Sequence, residues 1–345
     1  MKRRFAIGAV ISVILAGTAG AQVDNTQTIT KTGTTAAQFL KIGVDARASS
    51  MGGAFAAMTG DLSSMHWNPA GLAQHSGVEA MFVRNRWLAD MDYNYFALGF
   101  EVRGFGVLGL QVLSLNVPDD LVRTVEEPEG TGELFGAGDL AIGLTYARQL
   151  TDRFSLGGSV KFIHENVWHM SGSALAADIG ALFVTPFRNI RIGASLTNFG
   201  SDLQLAGRDN RFSDDPDPTN QGNVEFINAL YETDHYPLPL NFRVGIASEV
   251  YQADNLRVSA GIDAQHPNDN AESINGGAEV AVNETVFLRA GYSTLFRTDT
   301  EEGLTLGGGI HYRLWGGSTL VKIDYAYADF GLLENVQRFS IGVKF

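Results

Sequence analysis

The chain of 345 residues has no cysteine. That excludes disulfides, thiolate metal sites and a cysteine nucleophile. Proline is scarce at 9 residues, while the 40 glycines are scattered and not gathered into a linker. Positive charge is also short: 25 basic residues face 38 acidic ones, a net charge of −13. So acidic a chain is a poor partner for nucleic acid. Beyond the first residues, no stretch reaches the roughly 18 apolar residues of a membrane-spanning helix, so transmembrane helices are excluded.

The N-terminus reads as a leader. Lys2, Arg3 and Arg4 are basic, Phe5 to Leu15 are apolar, and Ala19-Gly20-Ala21 is a small-x-small site. The expectation is a signal peptide over residues 1–21, cleaved before Gln22. Its loss removes three positive charges and leaves −16. No cysteine follows, so a lipoprotein is excluded. An exported chain without disulfides must be held by a large hydrogen-bonded array or a core. Residues 22–35 are Thr-rich and aperiodic, an extended arm. Residues 36–77 are rich in Ala, Gly and Met and suit short helices and tight turns.

From Val78 the pattern changes to alternation of period two. It predicts fourteen strands: 78–87, 92–103, 105–117, 138–150, 153–168, 173–187, 189–199, 239–251, 255–265, 272–282, 285–297, 303–314, 318–330 and 336–345. Connections after even-numbered strands are very short. Two connections after odd-numbered strands are long, 118–137 and 200–238. Short turns at one rim and long loops at the other is the layout of an outer-membrane barrel. In the thirteenth strand Val321, Ile323, Tyr325 and Tyr327 oppose Lys322, Asp324, Ala326 and Ala328. A charge facing lipid at mid-bilayer costs about 2–4 kcal/mol. Arg243, Asp263, Arg289, Arg313, Lys322 and Asp324 are therefore assigned to the lumen, with Lys161, Asp178, Arg191, Glu279, Arg338 and Lys344. Inward glycines such as Gly157, Gly193, Gly277 and Gly291 leave space for a plug or relieve curvature. At the end, Phe339, Ile341, Val343 and Phe345 share one face. This terminus resembles the signature by which outer-membrane barrels are recognised for assembly.

Two boxes in the N-terminal region are the sharpest local motifs. One is Gly43-Val44-Asp45-Ala46-Arg47-Ala48-Ser49-Ser50-Met51-Gly52-Gly53-Ala54-Phe55-Ala56. The other is Trp67-Asn68-Pro69-Ala70-Gly71-Leu72. In the second, Asn68 suits a cap or Asx-turn, Pro69 fixes φ, and Gly71 permits a left-handed residue. Together the boxes, the fourteen strands and the terminal Phe resemble the PorV/PorQ family, a branch of the FadL-like long-chain fatty acid transporter barrels. Asp45 before Ala46-Arg47 and Ser49 after Ala48 are mild departures from its pattern. The resemblance implies an all-β, 14-stranded antiparallel transmembrane barrel (78–345) with an N-terminal arm and hatch (22–77). Met51, Gly52, Gly53, Ala54, Phe55, Trp67, Asn68, Pro69, Ala70 and Gly71 would form the hatch motif. It further implies a role in type IX secretion, between a translocon and cargo C-terminal domains. The alternative is uptake of a hydrophobic small molecule. A third reading is a structural barrel or adhesin.

No residues point to catalysis or to a cofactor. His66 has no second histidine at metal spacing. His164 and His169 flank the aromatic Trp168. His311 with Ser318 and Asp324 has no triad spacing. The acidic run Asp214-Asp215-Pro216-Asp217-Pro218 misplaces the Gly and Glu of a Ca²⁺ loop. The expected partners are outer-membrane lipid and the barrel-assembly machinery, and the expected location is the bacterial outer membrane.

Overall fold

The computed structural model describes residues 31–345 apart from 188, 217–218, 220–225, 298–299 and 315–316. The expected leader and most of the Thr-rich arm therefore lie outside the described residues. Fourteen strands form the wall: β1 (Val78–Arg86), β2 (Asp92–Val102), β3 (Gly106–Asn116), β4 (Ala137–Thr151), β5 (Phe154–Val167), β6 (Met170–Val184) and β7 (Arg191–Gly200). The second half is β8 (Asn241–Ala253), β9 (Leu256–Pro267), β10 (Ser273–Val282), β11 (Val286–Leu295), β12 (Leu304–Arg313), β13 (Leu320–Asp329) and β14 (Asn335–Lys344). Each pairs antiparallel with its neighbour in sequence, and β14 returns to β1 from Glu79↔Lys344 to Arg86↔Gln337. The ring is closed, which removes sheet edges. Among the described residues no helix is long and apolar enough to cross a membrane.

Alternation sets the two faces. Phe339, Ile341 and Phe345 are exposed, as are Phe242, Val244, Ile246, Leu288 and Ile323. Between them Arg243, Asp263, Glu279, Arg289, Lys322, Asp324 and Arg338 are buried. A wall with an apolar outside and a charged inside is what lipid on one side and a polar lumen on the other require. Arg313, also assigned to the lumen, is exposed and is the last residue of β12. Its parity is inward, but its position along the strand puts it at the rim.

Both long loops carry small hairpins. Asp120–Leu121 pairs with Leu134–Phe135, and Arg211–Asp214 pairs with Ile227–Leu230. Ala206–Gly207 adds to the start of β6. Among the described residues the wall breaks register in four places, one of them between Ala177 and Ile179 where β6 meets β7.

Candidate functional site

Residues 31–77 lie against the inward face of the wall. A turn of 3₁₀ helix spans Gln38–Lys41, α1 spans Ala46–Ser50, α2 spans Ser64–Trp67, and a second 3₁₀ helix spans Pro69–Gln74. Helix α1 packs on β11, β12, β13 and β14, whereas Pro69–Gln74 packs on β3, β4, β5 and β6. The segment thus touches both sides of the ring. Val44, Ala46, Ala48, Met51, Phe55, Leu62, Met65 and Leu72 are fully buried.

The two sequence boxes are joined through one carboxylate. Asp45 caps α1 by accepting from Ala48 N (2.9 Å), and its other oxygen accepts from Trp67 Nε1 (3.0 Å). Burial, with Asp61 nearby, pushes this carboxyl up to about 6 against the bonds from Ala48 and Trp67. Gly52 and Gly53 follow α1 at φ +68° and +76°, a conformation that favours glycine and ends the helix. Gly53 N donates to Ala48 O (2.9 Å). Phe55 N and Ala56 N both donate to Asp263 Oδ2 at 2.7 Å, so a wall carboxylate holds the end of the first box. Phe55 and Trp67 rings lie 6.4 Å apart.

Asn68 is the corresponding anchor in the second box. Its Nδ2 donates to Ala56 O (2.6 Å) and to Ala181 O of β6 (3.1 Å), and its Oδ1 accepts from Ala70 N (3.1 Å). The capping role is therefore present. Gly71 is different from expectation. It is not left-handed; a Cβ there would sit 2.9 Å from Ser64 Cβ and 3.2 Å from Met58 O. Close packing, not turn conformation, requires glycine at that position.

Several wall glycines meet this segment directly. A Cβ on Gly157 would overlap the Pro69 backbone, one on Gly193 the Ala56 backbone, and one on Gly277 or Gly291 the Met51 backbone. These glycines are the places where the segment approaches the strands.

An ion-pair network fixes the opposite end. Arg47 Nε and Nη2 donate to Glu279 of β10 at 2.9 and 3.0 Å, a bidentate pair. Glu279 also accepts from Arg289 Nε (2.7 Å) and Arg257 Nη1 (3.2 Å). Arg289 Nη1 continues to Asp324 Oδ1 (2.6 Å), which lies 3.3 Å from His311 Nε2. Lys322 pairs with Glu79 of β1 at 2.7 Å. Arg47 also lies 3.9 Å from Asp61. Burial pushes Asp61 up, but Lys322 and Arg47 outweigh it and hold it below the ordinary carboxylate value. Sequence reasoning named Glu279, Arg289, Lys322 and Asp324 as wall charges but did not name Asp45, Arg47, Asp61 or Glu79 as charge partners. The inward parity of Glu79 was the available signal.

His66 packs edge-on against Trp67 at 5.2 Å, and burial, with Lys161 and Arg243 near, holds its pKa well below the ordinary value. His164 bonds Ser173 and His169 meets Asp209. Two cavities flank the segment. One of about 240 Å³ is lined by Lys41, Trp67, Trp87, Arg243 and Arg338. The other, about 300 Å³, is lined by Arg47, Asp61, Arg257 and Lys322.

Residues 24–187 match the family model described as Type IX secretion system protein PorV. Over that stretch, a little under half of the chain, the sequence is similar to the PorV family. The matched region contains both boxes and the first six strands. No curated protein matches the chain in sequence. Solved structures with the same fold include the CymD monoaromatic hydrocarbon channel, at 15% identity, TM-score 0.55, covering 88% of this chain and 98% of that one. Another is the Ralstonia pickettii toluene transporter TbuX, at 15%, 0.52, 87% and 97%. A Pseudomonas aeruginosa FadL homologue matches at 11%, 0.53, 88% and 98%. Identities this low establish the fold alone: a closed FadL-like barrel.

Proposed function

We propose that this chain is a non-enzymatic outer-membrane component of protein export of the type IX kind, with residues 31–77 as a hatch that keeps the barrel shut. The PorV-family match over residues 24–187 carries this reading. The contacts of the segment support the hatch: it is bonded to β6, β9 and β10 and buried between them. Both flanking cavities are lined largely by polar and charged side chains, which suits a closed lumen better than a path for an apolar molecule. The loops at 117–136 and 201–240 then offer the surface for a translocon and for cargo C-terminal domains.

Uptake of a hydrophobic small molecule is the second reading, favoured by the FadL-like fold and by the register break between β6 and β7. That break is filled by polar contacts. Lys161 bonds Asn198 and pairs with Asp178 at 2.9 Å, and Asn198 N donates to Asp178 Oδ1 at 2.7 Å.

Deleting the gene and comparing the secreted proteome with uptake of a labelled long-chain fatty acid separates the two. Loss of secreted proteins with normal uptake supports export. Unchanged secretion overturns it, and loss of uptake alone selects the second reading.

A further inference from the structure

The smaller cavity holds two arginines that make no ion pair within 4 Å among the described residues, although Asp263 acts on Arg243, and Asp45 and Glu302 on Arg338, from farther away. Arg243 of β8 and Arg338 of β14 reach it from strands almost half a ring apart. They are 8% and 4% exposed. Arg243 Nη2 donates to Gln265 Oε1 (3.2 Å), and its guanidinium lies 4.7 Å from the Trp67 ring. Arg338 lies 5.6 Å from the Trp87 ring and makes no hydrogen bond among the described residues. The Nε of each is buried without a partner.

The other cations of the cavity are accounted for. Lys41 is paired with Asp269 (2.7 Å), Lys161 with Asp178 (2.9 Å), and Arg297 donates to Asn270 (2.8 Å). Asp263, on the strand beside Arg243, is taken up by the backbone of Phe55 and Ala56. Glu302 and Asp329 line the cavity but form no ion pair with either arginine among the described residues. A buried guanidinium without an anion is strongly destabilising. Here the two tryptophan rings cover guanidinium faces and leave donor edges free. Amides and hydroxyls, including Asn241, Asn275 and Thr305, make up much of the remaining wall.

We propose that this cavity binds a small hydrophilic oxyanion, a carboxylate or phosphate group, between Arg243 and Arg338. The polar lining selects against a long apolar chain. The site is independent of the export reading, because deletion phenotypes and ligand binding are measured separately.

The test is calorimetry and thermal unfolding of the full-length protein in zwitterionic detergent, with inorganic phosphate, gluconate and decanoate as probes. Saturable binding of phosphate or gluconate that raises the melting temperature is expected. Phosphate alone selects the phosphoryl ligand; gluconate alone selects the carboxylate. Arg338→Met and Arg243→Gln should each weaken binding by about tenfold or more, the loss of a charge-assisted pair. Arg338→Met should melt no lower than the ligand-free parent, since an apolar side chain replaces an unpaired buried charge. Should Arg338→Met fail to fold, Arg243→Gln gives the binding comparison. Absence of saturable binding, binding untouched by either substitution, or preference for decanoate would overturn the proposal.

Discussion

Asn68 holds three backbone groups with one buried side chain: Ala56 O, Ala181 O and Ala70 N. Two belong to the N-terminal segment and one to the wall. Asn68→Ala leaves all three without that partner, a loss of about 2–3 kcal/mol by the usual cost of buried unsatisfied groups. The expected outcome is a lower melting temperature in detergent and faster proteolysis within residues 31–77. An unchanged melt would mean that the contacts are not made. His75 gives a pH-dependent case. It is buried, and burial, with Lys344 and Lys322 adding to it, holds its pKa down at about 4. A group depressed on folding contributes stability above its unfolded value of about 6.5. That contribution is lost as pH falls from 6.5 through 4. Asp45 has the opposite sign: raised to about 6, it favours the fold below 3.8 and loses that favour as pH rises through 6. His75→Gln should therefore flatten the fall in melting temperature between pH 7 and 4.5. An equal fall in the variant would show that another group titrates.

Helix α1 and the loop after it depend on the strands having no side chain where they approach. A Cβ on Gly277 would overlap the Met51 backbone, while one on its neighbour Gly276 would meet Leu295 Cδ1 at 3.4 Å and Gly261 O at 4.0 Å, ordinary contacts. Gly277→Leu should displace the segment and raise conductance in planar bilayers. Gly276→Leu, one residue along β10 and on the other face, should not. Equal conductance in the two variants would refute the face assignment. These faces were legible in the sequence because lipid and lumen impose opposite chemistry on alternate residues. All fourteen strands were legible for the same reason. Arg313 keeps its inward parity but lies exposed at the end of its strand, because parity says which face a residue takes but not how near the rim it lies. Gly71 was misread because a turn and a close approach both select glycine. The pairing of Arg47 with Glu279 was not legible, since 232 residues separate partners that only the closed ring brings together.

The ring closes between its first and last strands, so the C-terminus is at once a seam and, by its sequence, a proposed assembly signal. The structure separates these two roles. Phe345 is 64% exposed, so its ring adds little to protein packing, whereas its backbone N–H donates to Val78 O at 2.8 Å. Phe345→Ala keeps that hydrogen bond and removes only apolar surface facing outward. Protein refolded into detergent should then melt close to the parent. In cells, however, the same substitution should lower the amount of heat-modifiable barrel in the membrane fraction, if the proposed assembly signal is read through the side chain and not the seam. Deleting residues 335–345 removes β14 entirely, opens edges on β1 and β13, and should abolish the folded band in both settings. If Phe345→Ala lowered the melting temperature as much as it lowered cellular yield, the ring would be a structural element of the seam and the signal reading would fail.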